Sequence, residues 1–418
     1  VSFGANAAMI GLLGATYPIM QFIGAPFLGR LSDRFGRKPV LLVSQIGTLL
    51  GIILLGLANS LWLLFVARIV DGLSGANIST AQAVITDNTN EKTRTQGLGL
   101  LGAAFGLGFI IGPVIAFVSL SITSNNFHVP AFVAAAFSAL SIVMTWFWLD
   151  ESLPPEKRTH SERKREFSLL ELRETIGNKN IIFLLALMFF QQIAFGGFQQ
   201  LLSLFTLNRL GLDASGNAVI FVFVGFLIVI VQGYLIGVWS RRFGDRWLIR
   251  MGLGVLAVGL VLLSFTPRQP VPWYSQQAVI QELSAGRNLP GETPPTQDVQ
   301  IPLPDETSRG WLGLAWIMLS MVPAAIGGGV LQPSINSMLT RQVSPDKIGG
   351  TLGLSAALLS GANATAPLIG GVIFQTLGAS VPFLMGGILL FLLWFLSNRL
   401  MVEHPAESMG GEAEQSYF

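Results

Sequence analysis

The chain has 418 residues, of which 51% are hydrophobic and 11% are charged, and its formal net charge is +2. Soluble domains carry roughly 25% charged residues, so this composition excludes a soluble globular enzyme as well as a disordered or fibrous protein. The lack of cysteine in the sequence excludes disulfide bonds, thiolate catalysis and Cys-ligated metal sites.

Long apolar runs follow one another along the whole chain. A run of ~18 residues or more is long enough to span a membrane. Each span must be helical, because lipid offers no partner for a free backbone N–H or C=O. The sequence therefore predicts an all-α membrane protein. Eleven spans are expected, at Ala8–Gly29, Val40–Ala58, Leu61–Thr86, Gly97–Leu120, Pro130–Leu149, Ile181–Leu207, Gly216–Ser240, Leu248–Thr266, Gly310–Leu339, Ile348–Leu377 and Ala379–Leu400.

Basic residues concentrate in one set of the loops between these spans, beginning with Arg30, Arg34, Arg37 and Lys38. Loops rich in Lys and Arg stay in the cytoplasm, which puts the N-terminus outside and the C-terminus inside. An outside N-terminus without a translocation signal predicts that a first helix is missing from this chain.

The chain contains an internal repeat. Gly29–Gly36 aligns with Gly237–Gly244 at an offset of 208 residues, and Gly99 aligns with Gly353 at an offset of 254. The offset grows because a polar, proline-rich stretch at 267–309 is inserted between the two aligned pairs. Two parallel repeats of one helical bundle form a known transporter architecture.

The repeat divides the chain into two helical halves, so an intact protein would have two six-helix repeats. The second copy of the loop has Arg241 where the first has Asp33, and we interpret it as a degenerate structural copy. The predicted domains are an N-terminal half at 1–149 (second to sixth helices), a cytoplasmic linker at 150–180, a C-terminal half at 181–400 with the external insert 267–309, and a cytoplasmic tail at 401–418.

The segment 29–39 reads GRLSDRFGRKP, with glycines for a tight turn, basic residues for the cytoplasmic face and Asp33 at an expected helix start. It resembles, residue by residue, the signature loop between the second and third helices of the major facilitator superfamily. In that family the loop is a conformational latch between the halves. The alternative is an ordinary solvated turn. The resemblance implies latch roles for Gly29, Asp33, Arg34, Gly36 and Arg37.

Two further segments resemble motifs of the same family. Arg68, followed by small residues, is similar to the fourth-helix motif, whose Arg is linked in proton-coupled members to proton transfer or substrate contact. Gly108–Pro113 is similar to the fifth-helix motif of exporters. Its glycines permit close helix approach and its proline permits a kink, although ordinary helix packing is an equal alternative. The implied hinge or packing residues are Gly108, Gly112, Pro113 and Pro367.

Among family members, the chain looks most like the drug:proton antiporters, in particular the tetracycline-exporter-like branch. One departure concerns the span Leu248–Thr266, which has no acidic residue, whereas tetracycline–metal exporters use one there. This departure argues against tetracycline itself as the substrate.

Arg68 and Asp71 are charged residues well inside a predicted span, where burial of either costs at least ~2.5–3.5 kcal/mol. Their i, i+3 spacing puts them on one helix face, where they can pair. A proton-coupling carboxylate needs a proton affinity that changes with its surroundings. Asp71 is therefore the candidate proton site, with Arg68 as its modulator. One alternative is that Arg68 and Asp71 form a static ion pair that tethers helices. The other is that Asp71 lies near the external face and is solvated there.

Neutral amides also fall inside the predicted spans. Because lipid-facing amides are costly, most should face a central cavity or another helix. An amide-lined cavity would suit amphipathic ligands that are uncharged or cationic, while any single amide is equally consistent with a contact between helices. The candidate cavity residues are Gln21, Asn77, Gln82, Gln191, Gln332 and Asn336.

Together these features predict a multi-pass secondary transporter of the plasma or inner membrane that works by alternating access. The predicted activity is proton-coupled efflux of small amphipathic drugs or metabolites. The alternatives are a major facilitator importer of sugar or organic acid and a non-transporting, truncated pseudo-transporter. The expected partners are a small-molecule substrate, protons and the lipid bilayer. We expect a monomer without enzymatic activity, cofactor, metal or nucleic acid.

Overall fold

The computed structural model describes residues 7–122, 128–157, 178–212, 214–277, 279, 303–344 and 347–400. In these residues the regular structure is entirely helical, which confirms the predicted fold class. Ten of the described helical segments are long and apolar enough to cross a membrane. The first predicted span falls in a further helix, Ala7–Phe35. The total of eleven spans and the missing first helix stay predictions.

The N-terminal half, as described, consists of six helices. Only Gly36 separates the first from the second, and its φ of 103° lies in the region that favours glycine. A 3₁₀ turn at Gly75–Asn77 interrupts the predicted span Leu61–Thr86. The helices are α1 (Ala7–Phe35), α2 (Arg37–Gly56), α3 (Leu61–Ser74), α4 (Ile78–Asp87), α5 (Arg94–Ile122) and α6 (His128–Trp148).

The C-terminal half begins with α7, which has no counterpart among the described helices of the N-terminal half, and then repeats this order. A short π-helical segment, Val231–Leu235, joins two of its helices, and Gly244, with φ 77°, separates the next two just as Gly36 does in the first half. The helices are α7 (Lys179–Leu210), α8 (Ala214–Ile230), α9 (Ile236–Phe243), α10 (Asp245–Ser264), α11 (Leu312–Thr340), α12 (Ile348–Leu377) and α13 (Val381–Leu400).

An apolar core holds the helices of the C-terminal half together. The buried rings of Phe205 and Phe383 pack with their centroids 4.6 Å apart, beside Leu260 of α10. Large apolar side chains elsewhere, such as Phe147 and Trp148 of α6, are exposed. Exposed apolar side chains on long helices are what a lipid-facing surface requires.

The two halves meet mainly where α1 packs on α12 and where α5 packs on α8 and the π-helical segment, with further contacts of α4 with α12 and of α5 with α9 and α11. Glycines allow a close approach at both of the main contacts. A Cβ atom built on Gly29 would lie 2.3 Å from the carbonyl oxygen of Gly349, and one built on Gly99 would lie 2.7 Å from that of Gln232. The backbones therefore pack directly against each other where the halves meet.

The described ends of the external insert pack on the C-terminal half. The Gly310 N–H donates to the Pro270 carbonyl at 2.9 Å, and the Val271 N–H donates to the Leu210 carbonyl at 3.1 Å. The central part of the insert, most of the linker 150–180 and the tail 401–418 lie outside the described residues.

Candidate functional site

Asp33 lies in the last turn of α1 and joins the two halves. The expectation that it sits at the start of the following helix is wrong, because α1 continues to Phe35 and the chain turns only at Gly36. The Asp33 carboxylate instead accepts hydrogen bonds from the N–H groups of Gly349 (3.1 Å) and Gly350 (2.8 Å). These amides belong to the first turn of α12, where unpaired N–H groups and the helix dipole favour an anion.

Arg37 is the centre of a buried charged cluster at the same end of the bundle. Its side chain is 0% exposed, and its Nη1 and Nε atoms lie 2.5 Å from Asp33 Oδ1 and 2.9 Å from Asp87 Oδ2. Nη1 also donates to the Ser32 hydroxyl at 2.9 Å. The guanidinium thus fixes Asp33 in position to reach α12. Arg34, which shares the predicted latch role, is exposed and stacks over the Phe35 ring.

Four further hydrogen bonds between described residues cross between the halves at this end, and one of them joins Arg241 to Gln96. Arg94 donates to Thr340 at 3.3 Å, and Arg341 donates to the Glu91 carbonyl at 2.6 Å. The Thr95 hydroxyl donates to the buried carboxylate of Asp245 at 2.5 Å. The structure is therefore closed at this end, which is the end that the basic residues predict to be cytoplasmic.

A small cavity, with room for about one water molecule, lies between the halves beside these contacts. Leu98, Leu101, Gly102 and Phe105 line it from α5, one to three turns beyond Thr95. The amides that line it are Gln82 from α4, Gln232 from the π-helical segment, and Gln332 and Asn336 from α11.

Two acceptors in this cavity have no partner. Gln232 donates through Nε2 to the Gly329 carbonyl at 2.8 Å, which leaves its Oε1 directed at Gly102. Among the described residues, neither that oxygen nor Oε1 of Gln82 has a hydrogen-bond partner, although both are buried. A buried acceptor without a partner costs ~1–3 kcal/mol, so both oxygens are suited to accept from a water or a ligand. Asn336 differs, because its Oδ1 accepts from Ser355 at 2.7 Å.

The other predicted cavity residues lie elsewhere. Gln21 donates to the Tyr17 hydroxyl and to the Gly75 carbonyl, and so ties α1 to the 3₁₀ turn within the N-terminal half. Asn77 is part of that same turn. Gln191 is buried in α7. The structure therefore brings three of the six predicted amides into one cavity, together with Gln232.

Asp71 and Arg68 both lie in α3 and are partly buried. Asp71 packs against α2, because a Cβ atom built on Gly51 would lie 2.7 Å from the Asp71 Cβ. Although the two residues are described and share a helix face, no hydrogen bond or ion pair joins them. Asp71 is therefore a carboxylate inside a span that has the arginine nearby but makes no direct ion pair with it.

The predicted hinge residues differ in how closely they pack. A Cβ atom on Gly106 would lie 3.1 Å from Val229 of α8, whereas positions 108 and 112 have nothing within 4 Å in the described part of the chain. The close helix approach on α5 is thus made by the glycines before Gly108. Pro367 lies inside α12. Pro113 falls in the range of α5, but its side chain lies outside the described residues.

Asp245 is a site residue that the sequence interpretation missed. It starts α10 and is buried. The repeat offset of 208 residues contains the signal that was missed, because it aligns Asp245 with Arg37.

Comparisons with known proteins agree on one family. A family model described as Major Facilitator Superfamily matches residues 1–283. The chain is 30% identical to the class C tetracycline resistance protein of Escherichia coli, over 87% of this chain and 79% of that protein. It is 25% identical to human major facilitator superfamily domain-containing protein 10, over 96% of this chain and 80% of that protein. A crystal structure described as the human organic anion transporter MFSD10 (TETRAN) superimposes with a TM-score of 0.72 at 22% identity, covering 93% of this chain and 83% of that one.

Proposed function

The chain belongs to the major facilitator superfamily, whose members are transporters and not enzymes, and we propose that it is a proton-coupled exporter of small amphipathic molecules. The observation that carries this proposal is the small amide-lined cavity between the halves, beside a closed cytoplasmic side, which would widen into a cargo site when the halves separate. Alternating access requires a site between two repeats that each conformation opens to one side only. The transporter acts as a monomer in the plasma or inner membrane.

The lining of the cavity supports an uncharged or cationic cargo with hydrogen-bond donors. None of the described residues that line it is charged, and two buried amide oxygens are free to accept. Leu98, Leu101 and Phe105 supply apolar contact area beside those oxygens. Relatives named for tetracycline resistance support a drug-like cargo. Tetracycline itself is disfavoured, since the predicted span Leu248–Thr266 in the C-terminal half has no acidic residue.

Asp71 is the proton-carrying residue of this proposal. A carboxylate inside a span is costly to keep charged, and Asp71 has no ion pair with Arg68 to hold it in that form. It can therefore take up and release a proton as its surroundings become dry and wet. Arg68 remains available as a modulator of its charge or as a contact for a cargo.

Transport by purified protein in lipid vesicles tests this proposal. Vesicles with an imposed pH gradient are given tetracycline, a fluorescent cationic dye and an anionic dye in separate assays. We expect the cationic dye to accumulate on the acidic side, and a protonophore to abolish its accumulation. Asp71→Asn should abolish gradient-driven accumulation, whereas the matched variant Asp71→Glu keeps the carboxyl group and should retain it.

Each contrary result has a distinct meaning. Coupled accumulation that persists in Asp71→Asn removes Asp71 from the proton pathway. Gradient-driven accumulation of the anionic dye alone assigns an organic anion as cargo, with Arg68 as its contact. If none of the three probes is transported, the exporter proposal fails, and an importer of sugar or organic acid becomes the better description.

A further inference from the structure

The second copy of the loop repeats the charged cluster of the first with the charges reversed. At the offset of 208 residues, Arg241 stands where the first copy has Asp33, and Asp245 stands where it has Arg37. At the offset of 254 residues, which applies to α4 and α11, Arg341 corresponds to Asp87. Acid and base are therefore exchanged at all three positions.

The contacts within each half follow the same exchange. In the first copy, Arg37 Nε lies 2.9 Å from Asp87 Oδ2. In the second, Arg341 Nη2 lies 2.8 Å from Asp245 Oδ2. The serines beside them behave alike: Ser32 accepts from Arg37 at 2.9 Å, and Ser240, its counterpart, donates to Asp245 at 2.7 Å.

The contacts between the halves are also repeated. Asp33 accepts from the N–H groups of Gly349 and Gly350 at the start of α12. The residues that correspond to these glycines at the start of α5 are Thr95 and Gln96. Thr95 donates to Asp245 and Gln96 accepts from Arg241. Both loops therefore reach the first turn of the corresponding helix in the opposite half.

We propose that this second loop is a second cytoplasmic latch, with charges opposite to those of the first, and that Asp245 is its positioning residue. The inference rests on the proposed function to the extent that a latch matters only to a protein that opens and closes. Asp33, Arg37 and Asp87 of the first cluster each have a charged counterpart in the second, and both clusters contact the first turn of a helix in the opposite half.

The donors of Asp245 indicate how such a latch would favour the closed conformation. The Asp245 side chain is 2% exposed, so its carboxylate depends on hydrogen bonds for stabilisation. Ser240, Ser337 and Arg341 belong to its own half and stay with it when the halves separate. The Thr95 hydroxyl belongs to the other half and is lost on opening. Among the four donors of Asp245, Thr95 is thus the one whose bond favours closure.

Distances between spin labels at the cytoplasmic end can test the proposal. The chain has no cysteine, so Lys92→Cys and Arg242→Cys, at exposed positions on opposite halves, give a uniquely labelled pair. Thr95→Val removes the hydroxyl that crosses between the halves. The matched control, Ser337→Ala, removes a 2.8 Å hydrogen bond to the same carboxylate from within its own half.

We expect Thr95→Val to raise the ratio of long to short label distances about tenfold, as the loss of a hydrogen bond to a charged group would do. Ser337→Ala should leave that ratio close to the value of the parent protein. A distance distribution for Thr95→Val that equals the parent's, or an equal shift in the control, overturns the proposal.

A charge exchange provides the second test. The double variant Asp245→Arg with Arg341→Asp exchanges the signs within the ion pair of the second loop and leaves Arg241 unchanged, and the guanidinium introduced at position 245 can donate to the Thr95 hydroxyl. We expect short label distances to be more frequent in the double variant than in either single variant. A double variant with label distances as long as those of the more open single variant contradicts the latch.

These measurements need neither substrate nor pH gradient. A lack of transport in vesicles therefore counts against the proposed function alone. Label distances that do not change as expected count against the second latch alone.

Discussion

The two copies of the loop occupy equivalent places in the two halves but differ in charge sign and in burial. The first centres on Arg37, which is 0% exposed and lies between two largely buried carboxylates. The second centres on the buried Asp245, whose partner Arg341 has a side chain that is 35% exposed. Coulomb attraction depends on the product of two charges, so a pair of residues can exchange signs and keep its geometry. A repeat can therefore preserve a contact while the residue types that make it change.

The copies also differ in what they present to the opposite half. Gly29 and Gly349 bring backbone against backbone, so neither side can yield. At the corresponding place in the second copy, a Cβ atom on Gly237 would meet the side chain of Gln96, which can move. The first contact is therefore rigid, and the second is adaptable.

The largest expected difference between the copies concerns folding stability. Arg37→Met leaves Asp33 and Asp87 buried without a cation, which should cost about 3–5 kcal/mol. Asp245→Asn keeps the shape of the hydrogen-bonded cluster and leaves a partly exposed Arg341, which should cost about 1–2 kcal/mol. Thermal unfolding in detergent should therefore give a clearly lower midpoint for Arg37→Met. Equal midpoints would contradict the difference in burial.

A smaller effect is expected from adding one methyl group to each copy. Alanine is favoured over glycine inside a helix by about 0.5–1 kcal/mol, so any harm from Gly29→Ala must come from the contact with α12. We expect Gly29→Ala to hold the halves apart and lengthen the label distances at the cytoplasmic end. Gly237→Ala should change them little, because Gln96 can rotate away. Similar shifts for both variants would show that the two contacts are equally rigid.

The smallest expected effect is a difference in salt sensitivity. Raising the salt concentration from ~0.1 M to ~1 M shortens the Debye length from about 10 Å to about 3 Å and screens exposed charges more than buried ones. In Asp33→Asn, closure depends on the second loop, so the label distances should lengthen as salt is added. In Thr95→Val, closure depends on the buried first loop and should change little. If salt changes the label distances of Thr95→Val more than those of Asp33→Asn, burial does not govern the screening of these two loops.

The sequence predicted the elements of the fold well and their contacts poorly. The all-helical class is confirmed, since spans such as Leu248–Thr266 follow from apolar length alone. The predicted helix start at Asp33 is wrong, because Gly29 and Gly36 are both able to end a helix and the chain uses only the second. The interpretation of the second loop as degenerate compared Arg241 with Asp33 by residue type. It therefore missed a network in which the signs are exchanged.

The sequence by itself determined that the chain is a membrane protein, where its helices lie, and that it is built from two repeats. These properties depend on composition and spacing within short segments. Only the tertiary structure decided that Asp33 meets Gly349, 316 residues further along the chain. The same holds for the placement of Gln82 and Gln332 in one cavity, apart from Gln21. Such contacts depend on how helices from different halves rotate and approach, and an amide inside an apolar helix is compatible with either a cavity or a neighbouring helix.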